Sequence, residues 1–403
     1  MTAGAAAASV PREPATGRHH AGAWGLLGAF ALLVATTQVL WLTFAPVTVE
    51  SARVLGVSEG LVGDLAVVNP LLFVFLALPA GRLVDRALHL TLSAGAVLVL
   101  VGALVRLVDT AAYGWQLAGQ VLASVAQPLV LAATTAVAAR CFPPAERTVA
   151  IAVGSAAQFV GVLVGALCGG PLFAAGGLDL LLTVHAGIAA VAAVATLVML
   201  RVAVVAPVPH REHGLRWLWH EPLLWRLGGL LLVGVGVFNA LATWVDPVMA
   251  GLGHQGAGGP LLAVATVAGI AGAAVLPGPV AAHRRRRTML LAATATTGVV
   301  FVVLAAVPVP LVAGVLLAVL GFVLLAGLPV ALDWSEAHVG VARSGTATAA
   351  LLLAGNVGGV VLVLLVQPFI GSPRVAFAVL ALVAVPGLWL AHGLPRREEL
   401  ATG

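Results

Sequence analysis

Long apolar runs, separated by short polar or glycine-rich segments, dominate this chain of 403 residues. The hydrocarbon core of a bilayer is ~30 Å thick, and a helix that rises ~1.5 Å per residue needs about twenty apolar residues to cross it. Twelve runs meet this length, so we predict twelve transmembrane helices. The predicted spans are 24–46, 61–81, 90–108, 115–139, 148–174, 178–200, 226–249, 259–280, 288–306, 309–332, 344–369 and 374–393.

The longest polar segment between two spans divides these twelve helices into two groups of six. We therefore predict an N-terminal tail at 1–23, an N-terminal half at 24–200, a linker at 201–225, a C-terminal half at 226–393 and a C-terminal tail at 394–403. The two tails and the linker are expected on the same side of the membrane because each half contains an even number of spans.

Composition supports a membrane environment. Hydrophobic residues make up 61% of the chain and charged residues only 9%, whereas soluble proteins carry roughly 25% charged residues. The basic residues lie in short loops between apolar runs, so their excess indicates membrane orientation and no nucleic-acid partner. The partners we expect are the lipid bilayer and a small solute.

Arginine distribution predicts the orientation. Only Arg53, Arg106 and Arg374 fall in the segments on one side of the membrane. The other side holds seventeen, which are Arg12, Arg18, Arg82, Arg86, Arg140, Arg147, Arg201, Arg211, Arg216, Arg226, Arg284, Arg285, Arg286, Arg287, Arg343, Arg396 and Arg397. Positively charged loops stay in the cytoplasm, so we predict a multi-pass protein of the plasma (cytoplasmic) membrane with both termini inside.

The two groups of six spans also resemble each other in sequence. The segment GRLVDR ends the second span, and GPVAAH ends the eighth 197 positions later. Arg147 and Arg343 precede the fifth and eleventh spans at an offset of 196, and Gln158 and Asn356 follow at 198. Near-constant offsets, with both halves beginning on the same side, predict two parallel six-helix pseudo-repeats.

The segment GRLVDRALHL at 81–90 fits the motif between spans two and three of major facilitator proteins. Gly81 allows close helix approach, and the Asp85 carboxylate can bind a helix N-terminus or an arginine. The resemblance implies that Asp85 meets Arg140 and the start of span eleven, which would hold the halves together while the outside is open. Gly81, Asp85, Arg86 and Arg140 are therefore the candidate gating residues, and a merely solvated loop is the alternative.

The second copy of this motif has Ala282 where an aspartate would lie, so we expect a weaker contact there.

Longer strings resemble one branch of that superfamily. They are TTQVLWLTFAPVT in span one, GQVLASVAQPLVL and AARCFPPAERTVAIAVG around span four, and RSGTATAALLLAGNVGG in span eleven. Together they resemble the feline leukaemia virus subgroup C receptor-related branch and its prokaryotic relatives, over essentially the whole chain. The resemblance implies the major facilitator fold and transport of small organic solutes. Eukaryotic relatives are associated with choline, ethanolamine, haem and pyridoxine, a list too broad to identify one solute.

Polar side chains within the spans are candidate substrate ligands, because unsatisfied polar groups are costly in hydrocarbon and tend to face a cavity. The candidates are Gln38, Trp41, Asn69, Gln120, Gln127, Gln158, Asn239 and Asn356. The alternative for each amide is a hydrogen bond between helices. Trp41 is either a cation–π platform or an interfacial residue. By this resemblance, eukaryotic relatives carry their span-one tryptophan two positions earlier, where this chain has Val39, which argues against choline-like recognition.

Carboxylates are absent from the middle of every predicted span, so no deep proton relay is expected. Asp64 and Asp246, near the outer ends, are candidates for ion coupling, with outer contacts or helix capping as the alternative. His185 is expected to be a buried, hydrogen-bonded packing residue.

We predict a monomeric secondary transporter, active or facilitative, that moves a small organic solute, alone or with a proton or other ion, by alternating access. Glycines in spans five and eleven are expected to let the two halves slide on each other. They are Gly161, Gly165, Gly355, Gly358 and Gly359. No catalytic, phosphate-binding or metal-binding motif is present, so no enzyme activity and no cofactor are predicted. A membrane sensor built on a transporter scaffold is the alternative function.

Overall fold

The computed structural model describes residues 17–207 and 214–396. Within these ranges the chain is almost entirely helical and contains no strand. The predicted all-α fold is therefore confirmed. The positions assigned to Arg12, Arg211 and Arg397 lie outside the described residues.

Fourteen α-helices follow one another in the described part of the chain. They are α1 Gly17–Trp41, α2 Thr48–Leu55, α3 Glu59–Val105, α4 Tyr113–Leu131, α5 Thr134–Cys141, α6 Pro144–Val202, α7 Pro222–Ala250, α8 Gly258–Val275, α9 Pro277–Ala282, α10 Arg286–Ala306, α11 Pro310–Leu324, α12 Gly327–Val339, α13 Ser344–Val366 and α14 Pro373–His392. Four short 3₁₀ helices also occur, at Ala45–Val47, Leu215–His220, Val341–Arg343 and Gln367–Phe369.

Two helices are far longer than one membrane crossing requires. Helix α3 has 47 residues and α6 has 59, whereas about twenty cross the hydrocarbon core. Non-helical backbone interrupts α3 at Ala87 and α6 at Gly176 and Gly177. Gly177 has a φ of 66°, a left-handed conformation that favours glycine. Each long helix therefore contains two of the predicted spans joined by a sharp bend.

In the described residues, nine helices are long and apolar enough to cross a membrane, or ten when the bent pair α4–α5 is one span. When α4–α5 counts as one span and α3 and α6 each count as two crossings, the total agrees with the twelve predicted spans.

The predicted fourth and tenth spans are not single straight helices. Helices α4 and α5 meet at an angle of 41° after Leu131. The tenth span is also interrupted, between Leu324 of α11 and Gly327 of α12, but the two pieces are straight enough to form one span, Pro310–Val339. The breaks fall at corresponding places in the two halves, so the pseudo-repeat extends to the irregularities of the helices.

Glycines bring helices together within each half. A Cβ at Gly161 would lie 2.2 Å from the Ala35 carbonyl oxygen, and one at Gly358 would lie 1.9 Å from the Leu232 carbonyl oxygen. The remaining three glycines face Val39 (Gly165), Val235 (Gly355) and Asn239 (Gly359). The prediction that they form the contact between the halves is wrong, because spans five and eleven pack here on spans one and seven of their own halves.

Candidate functional site

A cavity of about 110 Å³ lies between the two halves, and we call it the central cavity. Seven of the eight predicted ligand residues line it, which are Gln38, Trp41, Asn69, Gln127, Gln158, Asn239 and Asn356. They come from helices of both halves. The structure therefore brings together in one place side chains that the sequence places up to about 320 positions apart.

Aromatic rings form part of the wall of the central cavity. Trp41 is the last residue of α1, and its indole Nε1 donates to the Ala66 carbonyl oxygen at 2.9 Å, which fixes the ring. Phe159 and Phe238 meet edge to face with their centroids 6.3 Å apart, one from each half. Sequence reasoning missed these two rings, although each is the direct neighbour of an identified amide.

Two amide atoms at the central cavity have no partner. Within the described residues, Asn69 Oδ1 and Gln158 Nε2 are buried and make no hydrogen bond. By contrast, Gln38 Nε2 donates to Thr37 Oγ1 at 3.2 Å, and Asn356 Nδ2 donates to the Leu352 carbonyl oxygen at 2.9 Å. A buried polar atom without a partner costs about 1–3 kcal/mol, so the cavity offers one acceptor and one donor to a bound molecule.

Gln120, the eighth predicted ligand, does not line the central cavity. Its side chain is fully buried, and its Oε1 accepts a hydrogen bond from Arg106 Nη2. The substrate-binding assignment of Gln120 is therefore wrong. The residue instead takes part in a buried contact between α4 and the end of α3.

Arg106 is buried rather than exposed on the outer side, with 1% of its surface accessible. Its Nη1 donates to Thr43 Oγ1 at 2.9 Å and to the Leu40 carbonyl oxygen at 3.2 Å. Its guanidinium also lies over the Phe44 ring at 5.7 Å. This side chain thus holds the end of α1, next to Trp41. The sequence signal for this burial was that Arg106 lies inside predicted span three, 90–108, with the apolar residue Leu107 directly after it.

His185 belongs to the same buried group. It is 3% exposed, and its Nδ1 lies 3.1 Å from Thr43 Oγ1. This placement agrees with the expectation of a hydrogen-bonded packing residue.

Asp85 binds the N-terminus of the eleventh span. Its Oδ1 accepts from the Gly345 amide at 2.7 Å, and its Oδ2 accepts from the Thr346 amide at 2.9 Å and the Thr346 hydroxyl at 2.5 Å. Arg140 Nη2 donates to the Asp85 backbone oxygen at 2.7 Å. A carboxylate at a helix N-terminus is electrostatically favourable. The structure places three predicted gating residues together, since Gly81 lies directly against α13: a Cβ there would be 2.7 Å from the Gly345 oxygen.

Arg86, the fourth gating candidate, follows Asp85 and is exposed.

A second set of contacts joins the halves at the position related to the first by the pseudo-repeat. Arg147 Nη1 lies 3.2 Å from Glu336 Oε1, and Thr148 Oγ1 donates to Asp333 Oδ1 at 2.6 Å. Asp333 Oδ2 also accepts from Arg286 at 2.7 Å. The expectation of a weak contact at this copy is wrong, because two carboxylates on α12, Asp333 and Glu336, make the contact instead.

We call these two sets of contacts the cytoplasmic gate, after the membrane side and the role predicted from the sequence. The gate consists of Asp85, Gly345, Thr346, Arg147, Glu336, Thr148 and Asp333. It joins the halves at the end of the bundle that carries most arginines.

We expect Glu336→Gln to weaken the cytoplasmic gate by about 1–3 kcal/mol, because the half-buried Arg147 guanidinium loses its buried anionic partner. Spin labels at exposed positions 201 and 285, one on each half, report the distance by electron–electron resonance in a background without the two cysteines. The expected result is a longer distance. Glu50→Gln, at an exposed carboxylate, is the matched control and should leave the distance unchanged. An unchanged distance in Glu336→Gln would show that this contact does not hold the gate.

The two acidic coupling candidates lie apart from the central cavity. Asp64 and Asp246 are both exposed, and neither lines the cavity. Asp246 Oδ1 accepts from the Gly258 amide, the first residue of α8, at 3.0 Å. This contact is the helix capping that was the alternative for Asp246.

The fold and the cavity together define a polytopic helical membrane protein of the transporter class. The family description of the Major Facilitator Superfamily matches residues 26–363. The chain belongs to that superfamily.

Sequence relatives point to one part of the superfamily. The chain is 32% identical over 275 residues to solute carrier family 49 member A3 from Danio rerio, an alignment that covers 63% of this chain and 58% of that protein. It is 38% identical over 145 residues to an uncharacterized protein from Archaeoglobus fulgidus, covering 35% of this chain and 65% of that protein. The chain thus matches less than two thirds of the length of these relatives. Similarity to family 49 is consistent with the predicted branch.

Solved structures share the fold at low sequence identity. The human organic anion transporter MFSD10 has a TM-score of 0.70 at 16% identity, with 94% of this chain and all of that chain covered. A bacterial homologue of the iron transporter ferroportin has a TM-score of 0.72 at 14% identity, with coverage of 92% and 97%. The E. coli fucose:proton symporter has a TM-score of 0.70 at 13% identity, with coverage of 93% and 98%.

Proposed function

We propose that this protein is a secondary transporter, active or facilitative, that carries a small organic solute by alternating access between its two halves. The observation that carries the proposal is a central cavity walled by both halves, in which Asn69 Oδ1 and Gln158 Nε2 lack partners. A solute with a hydrogen-bond donor and an acceptor would satisfy both atoms. Movement of the halves would then expose the solute to either side.

The lining of the central cavity favours an uncharged or cationic solute. Seven amide and indole side chains supply its polar groups, and among the described residues neither an arginine nor a carboxylate lines it. The ring of Trp41 offers a face to a cation. A cavity of about 110 Å³ is below the ~300–1,000 Å³ of pockets for drug-sized ligands. These features support a solute of few heavy atoms and argue against a porphyrin or an organic anion.

We propose that Gly81, Asp85, Arg86 and Arg140 act in gating. The contacts of Gly81 and Asp85 with α13 join the halves at the predicted cytoplasmic end, and Arg140 donates to the Asp85 backbone there, so solute would enter from the outside in this conformation. The arginine distribution supports a location in the cytoplasmic membrane with both termini inside.

A thermal-shift screen of small amines, vitamins and amides on purified protein would identify a solute, because a ligand of the native state raises its stability. Uptake into proteoliposomes then tests transport. We expect Gln158→Ala to raise the KM about tenfold, equivalent to a lost hydrogen bond of ~1.4 kcal/mol. Gln367→Ala, at an exposed amide away from the cavity, is the matched control. Absence of saturable uptake for every solute that binds would contradict the proposal.

Ion coupling is tested with Asp64→Asn and Asp246→Asn in the same proteoliposomes under an imposed pH gradient. Loss of gradient-driven uptake in one variant would assign proton coupling to that carboxylate. Unchanged gradient dependence in both would exclude them.

A further inference from the structure

A second cavity, of about 440 Å³, lies where the linker meets the membrane helices, and we call it the linker cavity. Leu218 and Trp219 of the short helix Leu215–His220 form its outer wall. Gly228 of α7 and Ala354 of α13 form its floor, and Leu78 of α3 closes it from the other half. The linker cavity is therefore walled by both halves and by the segment that joins them.

The lining of the linker cavity is apolar, with leucine and tryptophan side chains around small residues that leave room. An apolar cavity of this kind does not hold ordered water, which needs polar partners. The cavity is open at one side to the surroundings of the helices. Its natural occupant is therefore a hydrocarbon chain.

The position of the linker cavity places it at the level of one leaflet. Helix α7 begins at Pro222, and Gly228 lies about 9 Å further along the helix at ~1.5 Å per residue. Trp219 and Trp225 at the mouth are 70% and 53% exposed, with their rings 5.2 Å apart. Exposed tryptophans of this kind are enriched where headgroups meet acyl chains. The mouth thus lies at the membrane surface on the side of the linker.

Two basic side chains lie on or against the short helix Leu215–His220 that forms the outer wall. Side chains three residues apart eclipse each other in a 3₁₀ helix, so exposed Arg216 projects from the same side as Trp219. Arg343 stacks on the Trp217 ring at 4.9 Å. Each arginine near the membrane surface attracts an anionic lipid by about 1 kcal/mol. Charge complementarity therefore selects a negatively charged headgroup.

We propose that the linker cavity binds one anionic phospholipid of the cytoplasmic leaflet, with an acyl chain in the cavity and the phosphate beside Arg216. Because Leu78 belongs to the N-terminal half and Ala354 to the C-terminal half, the lipid touches both halves. The linker cavity adjoins the central cavity at Leu351, which lines both, but its occupant does not depend on which solute the protein carries.

Native mass spectrometry of the full-length, delipidated protein in detergent tests this proposal, with dioleoyl phosphatidylglycerol as the probe and dioleoyl phosphatidylcholine as the neutral comparison. We expect preferential retention of one phosphatidylglycerol. Arg216→Gln should weaken that binding about fivefold, the effect of ~1 kcal/mol. Arg201→Gln, which removes an exposed cytoplasmic arginine at the end of α6, should leave it unchanged.

Ala354→Phe should weaken retention, because the added ring takes up space at the floor of the linker cavity. If that variant does not remain monodisperse, Trp219→Ala replaces it in the test. This variant removes part of the outer wall of the linker cavity and should weaken lipid binding several-fold. Equal retention of both lipids would overturn the choice of an anionic headgroup. Unchanged binding in the cavity variant and in Arg216→Gln would overturn the site.

Discussion

Asp85→Asn should open the cytoplasmic end of the protein. The Asp85 carboxylate accepts three hydrogen bonds from Gly345 and Thr346, two of them from amides at the N-terminus of α13. An asparagine keeps one acceptor oxygen and loses the charge that the helix N-terminus favours. Hydrogen bonds to charged groups contribute about 1.5–3 kcal/mol each. We expect a net loss of about 3 kcal/mol, which shifts the equilibrium between closed and open gate by roughly a hundredfold.

The spin labels at positions 201 and 285 measure this shift as a change from a short to a long distance. Solute uptake should fall as well, because the protein would rarely open to the outside. Asp109→Asn is the matched control: this exposed carboxylate on the outer side makes one local hydrogen bond, to the Ala111 amide. A short distance retained in Asp85→Asn would mean that the Arg147–Glu336 contact closes the gate without Asp85.

The gate illustrates what a motif can and cannot predict. GRLVDR placed Asp85 at the end of span two, and the resemblance supplied its partner on span eleven, because a carboxylate and free helix amides are complementary. The second contact was missed since it depends on Asp333 and Glu336, which lie on a different helix from Ala282. A missing residue in a repeat shows that one contact is absent. It does not show which neighbouring helix supplies a replacement.

The central cavity was predictable to the extent that helical periodicity determines it. Gln120 and Gln127 are seven residues apart and share a face of α4. They are also about 10 Å apart along the helix axis, so one reaches the cavity while the other lies deeper in the N-terminal half. Depth depends on how the helices are arranged against each other, and the sequence of one helix does not contain that information. The glycine contacts were misassigned for the same reason.

Arg106→Ala is expected to cause the largest loss of stability among outer-side arginine substitutions. The guanidinium donates to Leu40, Thr43 and Gln120 and lies beneath the end of α1. A cation there stabilises the last carbonyl groups of the helix. Alanine leaves Gln120 Oε1 without its donor, removes the charge and opens a void, at a cost of about 3–5 kcal/mol, although Thr43 keeps its contacts with Leu40 and His185. The melting temperature should fall by about 5–10 °C.

Thermal unfolding of purified protein, followed by tryptophan fluorescence, measures this loss. Arg374→Ala removes an exposed arginine from the outer side and is the matched control. The melting temperature of Arg106→Lys should lie between those of Arg106→Ala and Arg374→Ala. An ammonium group keeps the charge, but it lacks the planar fork with which the guanidinium reaches all three acceptors. The lysine variant also separates charge from geometry. If its melting temperature equals that of the native protein, charge alone supports the end of α1. If its melting temperature equals that of Arg106→Ala, the directed hydrogen bonds support the end of α1. These hydrogen bonds would then also keep Trp41 in its place at the central cavity.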